Sequence, residues 1–437
     1  MHKYSHFLFC SILGFSLFGC GSKKSTQPPA AAVPVQLYQK DGTAVNDLLG
    51  YSVAGAGDVN GDGKADFIIG AYGTTGAAGS AYVYSGATGS LLYQKNGAAA
   101  DDRLGRSVAS AGDVNGDGNT DFIVGAAFAN PGGLSNAGSA YVYSGTDGSL
   151  LYQKNGAAAF DDLGESVAGA GDMNGDGKAD FIVGAPDADP GGLSVAGSAF
   201  VYSGANSGLL YQKNGAAAGD VLGRSVAGAG DVDGDGKADF IIGAFLADPG
   251  GLSAAGSAYV YSGATGALLY QKNGGAARDS LGLSVAGAGD VNGDAKADFI
   301  IGVPSADPGG LSNAGSAYLY SGATGALLYQ KNGAAANDRL GNSVAGAGDV
   351  NGDGKGDFII GADHALFDAG SAFLYSGATG ALLYQKDGAA GNDILGQSVA
   401  GAGDVNGDGK ADFIIGAYGA DPGGVSQAGS AYVISIR

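Results

Sequence analysis

An Asp-rich segment of nine residues occurs seven times in this chain, at spacings of 55 or 59 residues. The first copy begins at Asp58 and reads Asp-Val-Asn-Gly-Asp-Gly-Lys-Ala-Asp. A repeat of this length implies one small structural unit per copy, so the 437 residues need not divide into two or three ordinary domains. The fold must therefore be built from seven similar units.

The oxygen-bearing side chains of each segment stand at positions 1, 3, 5 and 9. Alternate spacing lets a curled loop direct them at one hard cation, and position 7 can add a backbone carbonyl, as in helix-loop-helix calcium sites. Glycine at position 6 permits the positive φ that wraps the loop round the ion. Calcium, about seven ions in all, is predicted because the ligands are oxygen and the loops contain neither Cys nor His. The alternative is a set of turns that bind no metal.

The predicted ligands follow the same five positions in every loop, with position 7 contributing only its carbonyl. They are Asp58, Asn60, Asp62, Lys64, Asp66, Asp113, Asn115, Asp117, Asn119, Asp121, Asp172, Asn174, Asp176, Lys178, Asp180, Asp231, Asp233, Asp235, Lys237, Asp239, Asp290, Asn292, Asp294, Lys296, Asp298, Asp349, Asn351, Asp353, Lys355, Asp357, Asp404, Asn406, Asp408, Lys410 and Asp412. The fifth loop has Ala295 in place of the glycine at position 6. If φ must be positive there, alanine costs on the order of 1 kcal/mol, so this site is predicted to be the weakest.

The formal net charge of −20 is mainly loop charge, since 22 of the 42 acidic residues lie in the seven segments. An acidic surface of this kind argues against nucleic-acid binding, which needs a basic face. The two cysteines, Cys10 and Cys20, both lie near the N-terminus, so the repeats can form no internal disulfide.

Residues 1–20 are typical of a signal peptide, with Lys3 before an apolar run too short to span a bilayer comfortably. The run ends in Leu-Phe-Gly-Cys, which resembles the bacterial lipobox and implies lipidation of Cys20. Gly21 after the cysteine resembles the signal for export to an outer membrane. Residues 21–34 are polar and rich in Pro and Ala, and predict a flexible tether. The expected location is therefore the cell envelope, with a membrane anchor at Cys20.

Each repeat contains four short strand-like runs bounded by turn residues, and no segment has a sustained helical period. In the third repeat they are Ser166–Gly171, Phe181–Ala185, Ser198–Tyr202 and Leu209–Lys213. Residues 35–437 are therefore predicted to form an all-β, seven-bladed propeller of four-stranded antiparallel blades. The first run, Leu37 to Lys40, is a fourth strand without the other three, and the chain ends on a third strand. The N-terminal strand is predicted to complete the last blade and close the ring.

The repeats resemble the FG-GAP family, found in the integrin α-subunit propeller and in many bacterial surface proteins. The motif is visible as Leu-Gly-Glu-Ser-Val-Ala-Gly-Ala-Gly-Asp from Leu163 and as Asp-Phe-Ile-Val-Gly-Ala-Pro from Asp180. Leu replaces the usual Phe before the first Gly, and the final Pro appears only at Pro186 and Pro304. The resemblance implies a calcium loop between the first two strands on the lower face, with ligands approaching the upper face.

The strands and loops hardly vary between repeats, whereas two connections do, and both are predicted to lie on the face opposite the calcium loops. The position after Leu-Gly varies as Tyr51, Arg106, Glu165, Arg224, Leu283, Asn342 and Gln397. The connection between the second and third strands opens with Tyr72, Phe128, Asp187, Phe245, Ser305, His364 and Tyr418. Such residues on a rigid support suit recognition of a protein or glycan by an adhesion module. The protein is expected to be a monomer. Neutral drift of exposed loops and a structural role in an envelope assembly are the alternatives.

Catalysis is not expected. One His, His364, and one Glu, Glu165, remain after the signal peptide, and they assemble no Ser/His/Asp or Cys/His set. The Asp pairs at 101–102 and 161–162 could act as acid and base on a sugar, but their position near turns fits a capping role better.

Overall fold

The computed structural model describes residues 33–437, which form seven four-stranded antiparallel sheets. The predicted seven-bladed propeller is confirmed. The predicted signal peptide, Cys20 and residues 21–32 of the predicted tether lie outside the described residues. Within residues 33–437, no helix has the length and apolar character needed to cross a bilayer.

Each blade consists of strands a to d, counted outward from the central axis. In chain order the strands of blades one to four are Ser52–Gly57, Asp66–Ala71, Ser80–Tyr84, Leu91–Asn96; Ser107–Gly112, Asp121–Ala126, Ser139–Tyr143, Leu150–Asn155; Ser166–Gly171, Asp180–Ala185, Ser198–Tyr202, Leu209–Asn214; Ser225–Gly230, Asp239–Ala244, Ser257–Tyr261 and Leu268–Asn273. Those of blades five to seven are Val285–Gly289, Asp298–Val303, Ser316–Tyr320, Leu327–Asn332; Ser343–Gly348, Asp357–Ala362, Ser371–Tyr375, Leu382–Asp387; Leu395–Gly403, Asp412–Ala417, Ser430–Ile436 and, as strand d of blade seven, Pro34–Asp41.

The a strands surround the axis and consist of small residues because their backbones approach closely. A Cβ atom added to Gly228 would lie only 2.8 Å from the carbonyl oxygen of Gly169 in the preceding blade. The Ser hydroxyl that begins each a strand accepts the N–H of the following blade's Val, as Ser225 does from Val285 at 3.0 Å. Seven such bonds complete an inner ring, and the ring closes where Ser398 accepts from Val53.

The b strands are buried along their whole length, as their apolar sequence predicts. Phe181 is 0% exposed and packs with Ile and Val side chains from its own and the neighbouring blade. One such cluster lies between each pair of adjacent blades, so the core is a circle of seven inter-blade layers. Burial of large apolar side chains at about 25 cal/mol per Å² is the main force that holds blade against blade.

The outer strands tie each blade to the next through Tyr and Lys side chains. Tyr211 in strand d donates its hydroxyl to the carbonyl of Gly263, at 2.8 Å, in the following blade. Lys213, two residues on, donates to the carbonyl of Gly266 and lies 4.4 Å from the ring centre of Tyr261. A short polar motif in the sequence, Leu-Leu-Tyr-Gln-Lys, therefore provides both the outer strand and the contacts between blades.

The N-terminal strand closes the ring as predicted. Pro34–Asp41 pairs antiparallel with Ser430–Ile436, and Val33 and Arg437 exchange backbone hydrogen bonds of 2.9 and 3.0 Å. The Tyr38 hydroxyl donates to the Gly86 carbonyl in blade one, at 2.7 Å, as the equivalent Tyr does in blades one to four. The seventh blade thus makes the same lateral contact as these four blades.

Helical structure among the described residues is limited to single turns, in agreement with the sequence. Two four-residue turns, Thr74–Ala77 and Ala365–Asp368, contain left-handed residues. Five 3₁₀ turns form at the Pro-Gly-Gly sequences; they are Pro131–Gly133, Pro190–Gly192, Pro249–Gly251, Pro308–Gly310 and Pro422–Gly424.

The two faces of the ring carry different connections. The lower face holds the Asp-rich loops between strands a and b, and it also holds the c–d turns, since Gly86 in a c–d turn donates to Asp66. The upper face holds the b–c and d–a connections, which bond to each other: Arg103 N–H donates to the Ala77 carbonyl at 3.0 Å. The predicted placement of the variable connections opposite the Asp-rich loops is thus observed.

Replacement of Gly228 by Val should lower the free energy of unfolding by about 2–3 kcal/mol, because the new side chain would collide with the Gly169 carbonyl in a ring that cannot widen locally. Blade two already has Ser110 at the equivalent position, so Ser110→Gly should change stability by less than about 1 kcal/mol. Denaturant unfolding measures both. Equal effects of the two substitutions would contradict the tight inner ring.

Candidate metal loops and recognition face

The first Asp of each loop is held by the loop's own backbone. In blade three, Asp172 Oδ1 accepts the N–H groups of Gly175 and Asp176, and Oδ2 accepts that of Gly177. The first Asp of every other loop accepts the same three N–H groups. The loop therefore curls round the carboxylate of its first Asp.

The ninth-position Asp of each loop is fully buried, 0% exposed in all seven. Asp239 Oδ2 accepts the N–H of Val232 at 2.8 Å and Oδ1 accepts that of Gly263 at 2.8 Å. Burial nevertheless raises the pKa of this carboxyl to about 6, with a smaller contribution from the nearby Asp233. The same cause raises the pKa of Asp357 and Asp412 to about 6. Two N–H donors do not compensate a buried carboxylate, and a bound cation would.

The third position differs between loops. In the fourth loop it is an acid, and carboxylate oxygens of Asp231, Asp233 and Asp239 come within 4.8 Å of one another. In the other six loops it is Asn, whose side-chain nitrogen faces the ninth-position carboxylate in several loops, for example Asn174 and Asp180 at 3.3 Å. Positions 1, 3 and 9 therefore converge in the fourth loop.

The fifth and seventh positions complete the loop. Asp176 Oδ1 accepts the N–H of Lys178 at 3.0 Å. The seventh-position Lys side chain leaves its own loop: Lys237 Nζ donates to the Asn174 carbonyl of the preceding blade at 3.1 Å. Only the backbone of position 7 remains available to its own loop, in line with the predicted carbonyl role.

Neighbouring loops are also joined by backbone, which the sequence did not indicate. The N–H of the eighth position donates to the carbonyl of the first position in the preceding blade, as Ala238 does to Asp172 at 3.3 Å. This bond occurs between all seven neighbouring pairs, including Ala65 to Asp404 where the ring closes. The seven Asp-rich loops form one continuous ring on the lower face.

The sixth position adopts the left-handed conformation in every loop, with φ of 83° at Gly63 and 66° at Ala295. The positive φ at position 6, on which the prediction of a weak fifth site depends, is confirmed. The lower cation affinity of the fifth site stays a prediction. The donor set, all oxygen and partly buried, fits a hard divalent cation such as calcium.

On the upper face, the seven residues after Leu-Gly meet round the axis and line one cavity of about 280 Å³. They are Tyr51, Arg106, Glu165, Arg224, Leu283, Asn342 and Gln397. Glu165, the single Glu of the chain, lies between two guanidinium groups: Arg106 at 2.5 Å and Arg224 on the other side. Its side chain is 6% exposed, so this ion-paired group is rigid.

Aromatic side chains surround one side of this cavity. Tyr51 packs edge-on against Tyr72 and Tyr418, with ring centres 4.6 and 5.2 Å apart. Arg106 lies 5.3 Å from the ring centre of Tyr51, and Arg103 lies 4.2 Å from that of Phe128. The sequence singled out these positions individually, and the fold brings them into one cluster.

Two acids in this region, one half-buried and one buried, have an environment that the sequence did not indicate. Burial raises the pKa of Asp162 to about 6, an effect strengthened by Asp187 and opposed by Arg106 and Arg224. Asp363 is 2% exposed, and burial raises its pKa although Arg339 lies 3.7 Å away. Their burial depends on tertiary packing, so no sequence pattern reveals it.

The Asp pairs considered for catalysis act differently. Asp102 Oδ2 accepts the N–H groups of Ala98 and Ala99, and Asp161 does the same for Ala157 and Ala158. All seven d–a connections contain this turn. The predicted capping role is confirmed for Asp102 and Asp161.

The b–c connections of blades one and six lack Pro-Gly-Gly and contain three successive left-handed residues. In blade six these residues are Leu366, Phe367 and Asp368, with φ of 55°, 60° and 65°, and none of them is glycine. Phe367 is 95% exposed. Three strained residues that present an aromatic side chain to solvent are a feature that sequence reasoning missed.

The fold and the loops together define a seven-bladed propeller with an Asp-rich loop in every blade. The FG-GAP repeat pattern matches all seven blades, at residues 49–84, 104–143, 163–202, 222–261, 281–320, 340–375 and 395–434. The chain belongs to the FG-GAP repeat family.

Curated relatives are integrin alpha chains. The chain is 33% identical to integrin alpha-V of Gallus gallus over 229 residues, which cover 49% of this chain and 22% of the relative. It is 29% identical to integrin alpha-5 of Xenopus laevis over 232 residues, covering 49% and 21%. The similarity to integrin alpha-E of Mus musculus is 34% over 148 residues, covering 30% and 13%. The chain thus matches about a fifth of the length of its first two relatives.

Ala295→Gly should raise the free energy of unfolding by on the order of 1 kcal/mol, because it removes the cost of a left-handed alanine. The matched substitution is Gly177→Ala at the same position of loop three, where φ is 84° and a Cβ would meet no atom within 4 Å. Gly177→Ala should lower the free energy of unfolding by about the same amount. Denaturant unfolding in chelator compares them, and equal signs would contradict the conformational argument.

Asp162→Asn should change the pH dependence of stability. The folded pKa of Asp162 is raised to about 6, so this carboxyl favours the folded state at low pH. Its contribution to the free energy of unfolding is lost as the pH rises from about 4 through about 6. The Asn variant, which tolerates the φ of 53° at this position, should be more stable than the parent at pH 7.5 by on the order of 1 kcal/mol and equal to it near pH 4. Denaturant unfolding at several pH values measures the difference. A constant difference across the pH range would show that the carboxyl does not titrate as described.

Proposed function

We propose that this protein is a calcium-binding, non-enzymatic recognition module displayed at the cell surface on a lipid anchor at Cys20. It binds a protein or glycan through the upper face. The observation that carries the proposal is the difference between the two faces of the ring. The lower face repeats nearly unchanged in all seven blades, whereas the upper face brings the non-repeating residues together.

The upper face has the properties of a preorganised binding surface. Glu165 fixes the two guanidinium groups beside it, and Tyr51 is fixed by two other Tyr rings. Side chains that are already ordered lose little conformational entropy when a ligand binds. Arg and Tyr are also the residues that most often supply binding energy at interfaces.

Calcium would act on the opposite face as a structural ion. Every loop holds its carboxylates on one side and buries the ninth-position Asp, so seven uncompensated negative sites lie in one connected ring. Cations bound there would remove the repulsion between carboxylates and hold the a–b ends of all blades. The integrin alpha relatives support the same type of scaffold.

Calcium should stabilise the full chain strongly. A ligand that binds only the native state contributes about 2.7 kcal/mol per site at a concentration 100 times its Kd. We expect a large increase in Tm between excess chelator and calcium, with about seven ions counted by calorimetry. Asp172→Ala should remove one ion from this count, whereas Asp147→Ala, an exposed acid in a c–d turn of the same face, should not. An absence of bound calcium would reduce the loops to plain turns.

Steric blocking tests the binding face. Residues 33–437 contain no cysteine, so Ala335→Cys on the upper face and Thr265→Cys on the lower face each add one exposed thiol for a maleimide polymer. Binding of the full chain to arrays of extracellular proteins and glycans should be lost with the polymer at position 335 and kept with the polymer at position 265. The opposite pattern would move recognition to the metal face. Association with envelope proteins alone would favour a structural role.

A further inference from the structure

Three grooves lie at equivalent places on the outer part of the upper face, in blades three, five and six. Their volumes are about 420, 450 and 770 Å³, within the range of small-ligand pockets. In blade five the walls are the d–a connection at 276–279 and the b–c connection at 305–313. The floor is Tyr318 of strand c and its cross-strand neighbour Gln330 of strand d. These are here called the rim grooves.

Each groove contains a fixed set of polar groups beside its aromatic ring. In blade five, Ser316 Oγ and Gln330 Nε2 both donate to Asn332 Oδ1, at 2.9 and 2.8 Å. These bonds orient the carboxamide of Gln330, which lines the groove, and leave its oxygen as an acceptor. Asp279 Oδ2 is held by the N–H groups of Gly275 and Ala276, which leaves its other oxygen for a ligand.

The same polar set recurs in every blade, although the sequence alone indicates no role for it. The Ser–Asn–Gln groups are Ser80, Asn96, Gln94; Ser139, Asn155, Gln153; Ser198, Asn214, Gln212; Ser257, Asn273, Gln271; and Ser316, Asn332, Gln330. In blades six and seven an Asp replaces the Asn, giving Ser371, Asp387, Gln385 and Ser430, Asp41, Gln39. The aromatic residues beside them are Tyr82, Tyr141, Phe200, Tyr259, Tyr318, Phe373 and Tyr432.

This combination indicates the chemistry of the ligand. A half-buried aromatic ring offers an apolar surface, and neighbouring amide and carboxylate groups offer donors and acceptors at its edge. Sugars have both a C–H face and a periphery of hydroxyl groups, so they match both features. The acids on the groove walls, Asp279 and Asp307, together with a net charge of −20, disfavour acidic sugars.

The recurrence of the grooves favours a glycan over a folded protein as the ligand. A folded protein presents different residues to each blade and would use the non-repeating central cavity. Equivalent grooves suit a ligand that repeats its own unit, because several weak contacts then act together.

We propose that the rim grooves, and the equivalent polar sets of the other four blades, bind units of a neutral glycan, so that the propeller is a multivalent sugar-binding protein. This rests on the proposed function in assuming recognition on the upper face, and it names the ligand class and the residues. The Gln side chain of strand d provides a hydrogen-bond acceptor to a sugar hydroxyl, and the strand-c aromatic ring packs on the sugar face.

The test is binding of the calcium-loaded full chain to an array of neutral and acidic glycans, followed by titration with the free methyl glycoside of the bound sugar. The decisive variant replaces the seven exposed glutamines, at 39, 94, 153, 212, 271, 330 and 385, by Ala. Neutral glycans should bind, and the variant should lose at least about tenfold in apparent affinity because all sites act together. Gln330→Ala alone should lower the number of methyl glycoside sites by one.

A matched control replaces six exposed leucines that begin strand d, at 91, 150, 209, 268, 327 and 382, by Ala. It changes the same strands outside the grooves and should keep glycan binding. Circular dichroism and Tm in calcium check that both variants fold. Glycan binding that survives the seven Gln substitutions would overturn the groove assignment.

A second variant, Arg106→Ala in the central cavity, distinguishes failure of this inference from failure of the proposed function. If a protein ligand binds and only Arg106→Ala removes it, the glycan inference is wrong while upper-face recognition stands. If neither the polymer at position 335 nor any upper-face substitution changes binding, the glycan inference and the proposal of upper-face recognition are both wrong.

Discussion

The hydrogen bonds between adjacent a strands determine the geometry on which the rest of this propeller depends. Each Ser hydroxyl accepts the N–H of the next blade's Val, and the seventh bond, from Val53 to Ser398, returns to the first blade. Strands of different blades do not share a ladder here, so these side-chain bonds and the glycine-to-carbonyl contacts fix the separation of neighbouring blades. A larger side chain at the axis would alter the angle between blades and with it the number that completes a circle.

This inner ring explains why stability and recognition can be separated in space. An a strand of six residues is about 20 Å long, and its two ends emerge on opposite faces. At one end the chain enters an Asp-rich loop tied to its neighbours by backbone and Lys contacts. At the other end it arrives from a d–a connection whose only repeated requirements are the Leu-Gly packing and the Asp-capped turn. Substitutions at the second end therefore leave the core and the loops unaffected.

The sequence predicted the features that depend on local pattern. Strand positions, the ring closure by Pro34–Asp41 and the left-handed sixth position of the loops all follow from periodicity and turn chemistry. The predicted second and fourth strands of blade three were each one residue short, at Asp180 and Asn214, because pairing continues into polar residues at strand ends.

Features that depend on distant residues were beyond sequence reasoning. The placement of Glu165 between two Arg residues joins three different blades. The raised pKa of Asp162 arises from burial by packing, and the reach of Lys237 into another blade depends on the ring itself. The rim grooves were missed for a similar reason: Ser316, Gln330 and Asp279 are far apart in the chain and appear individually as ordinary polar residues.

The pairing of the first described strand with the last has a consequence for biosynthesis. Asp41 accepts a hydrogen bond from Ser430, 389 residues later, so the outer strand of blade seven, which is made first, has no partner until Ser430–Ile436 has been synthesised. Six blades can assemble as they emerge, each from local contacts, but the ring remains open with an unpaired strand edge exposed. Closure is then a single late event with a large loop entropy, and a chain that fails to close exposes edges that can pair with another copy. A protein of this design therefore relies on rapid docking of Pro34–Asp41 on Ser430–Ile436.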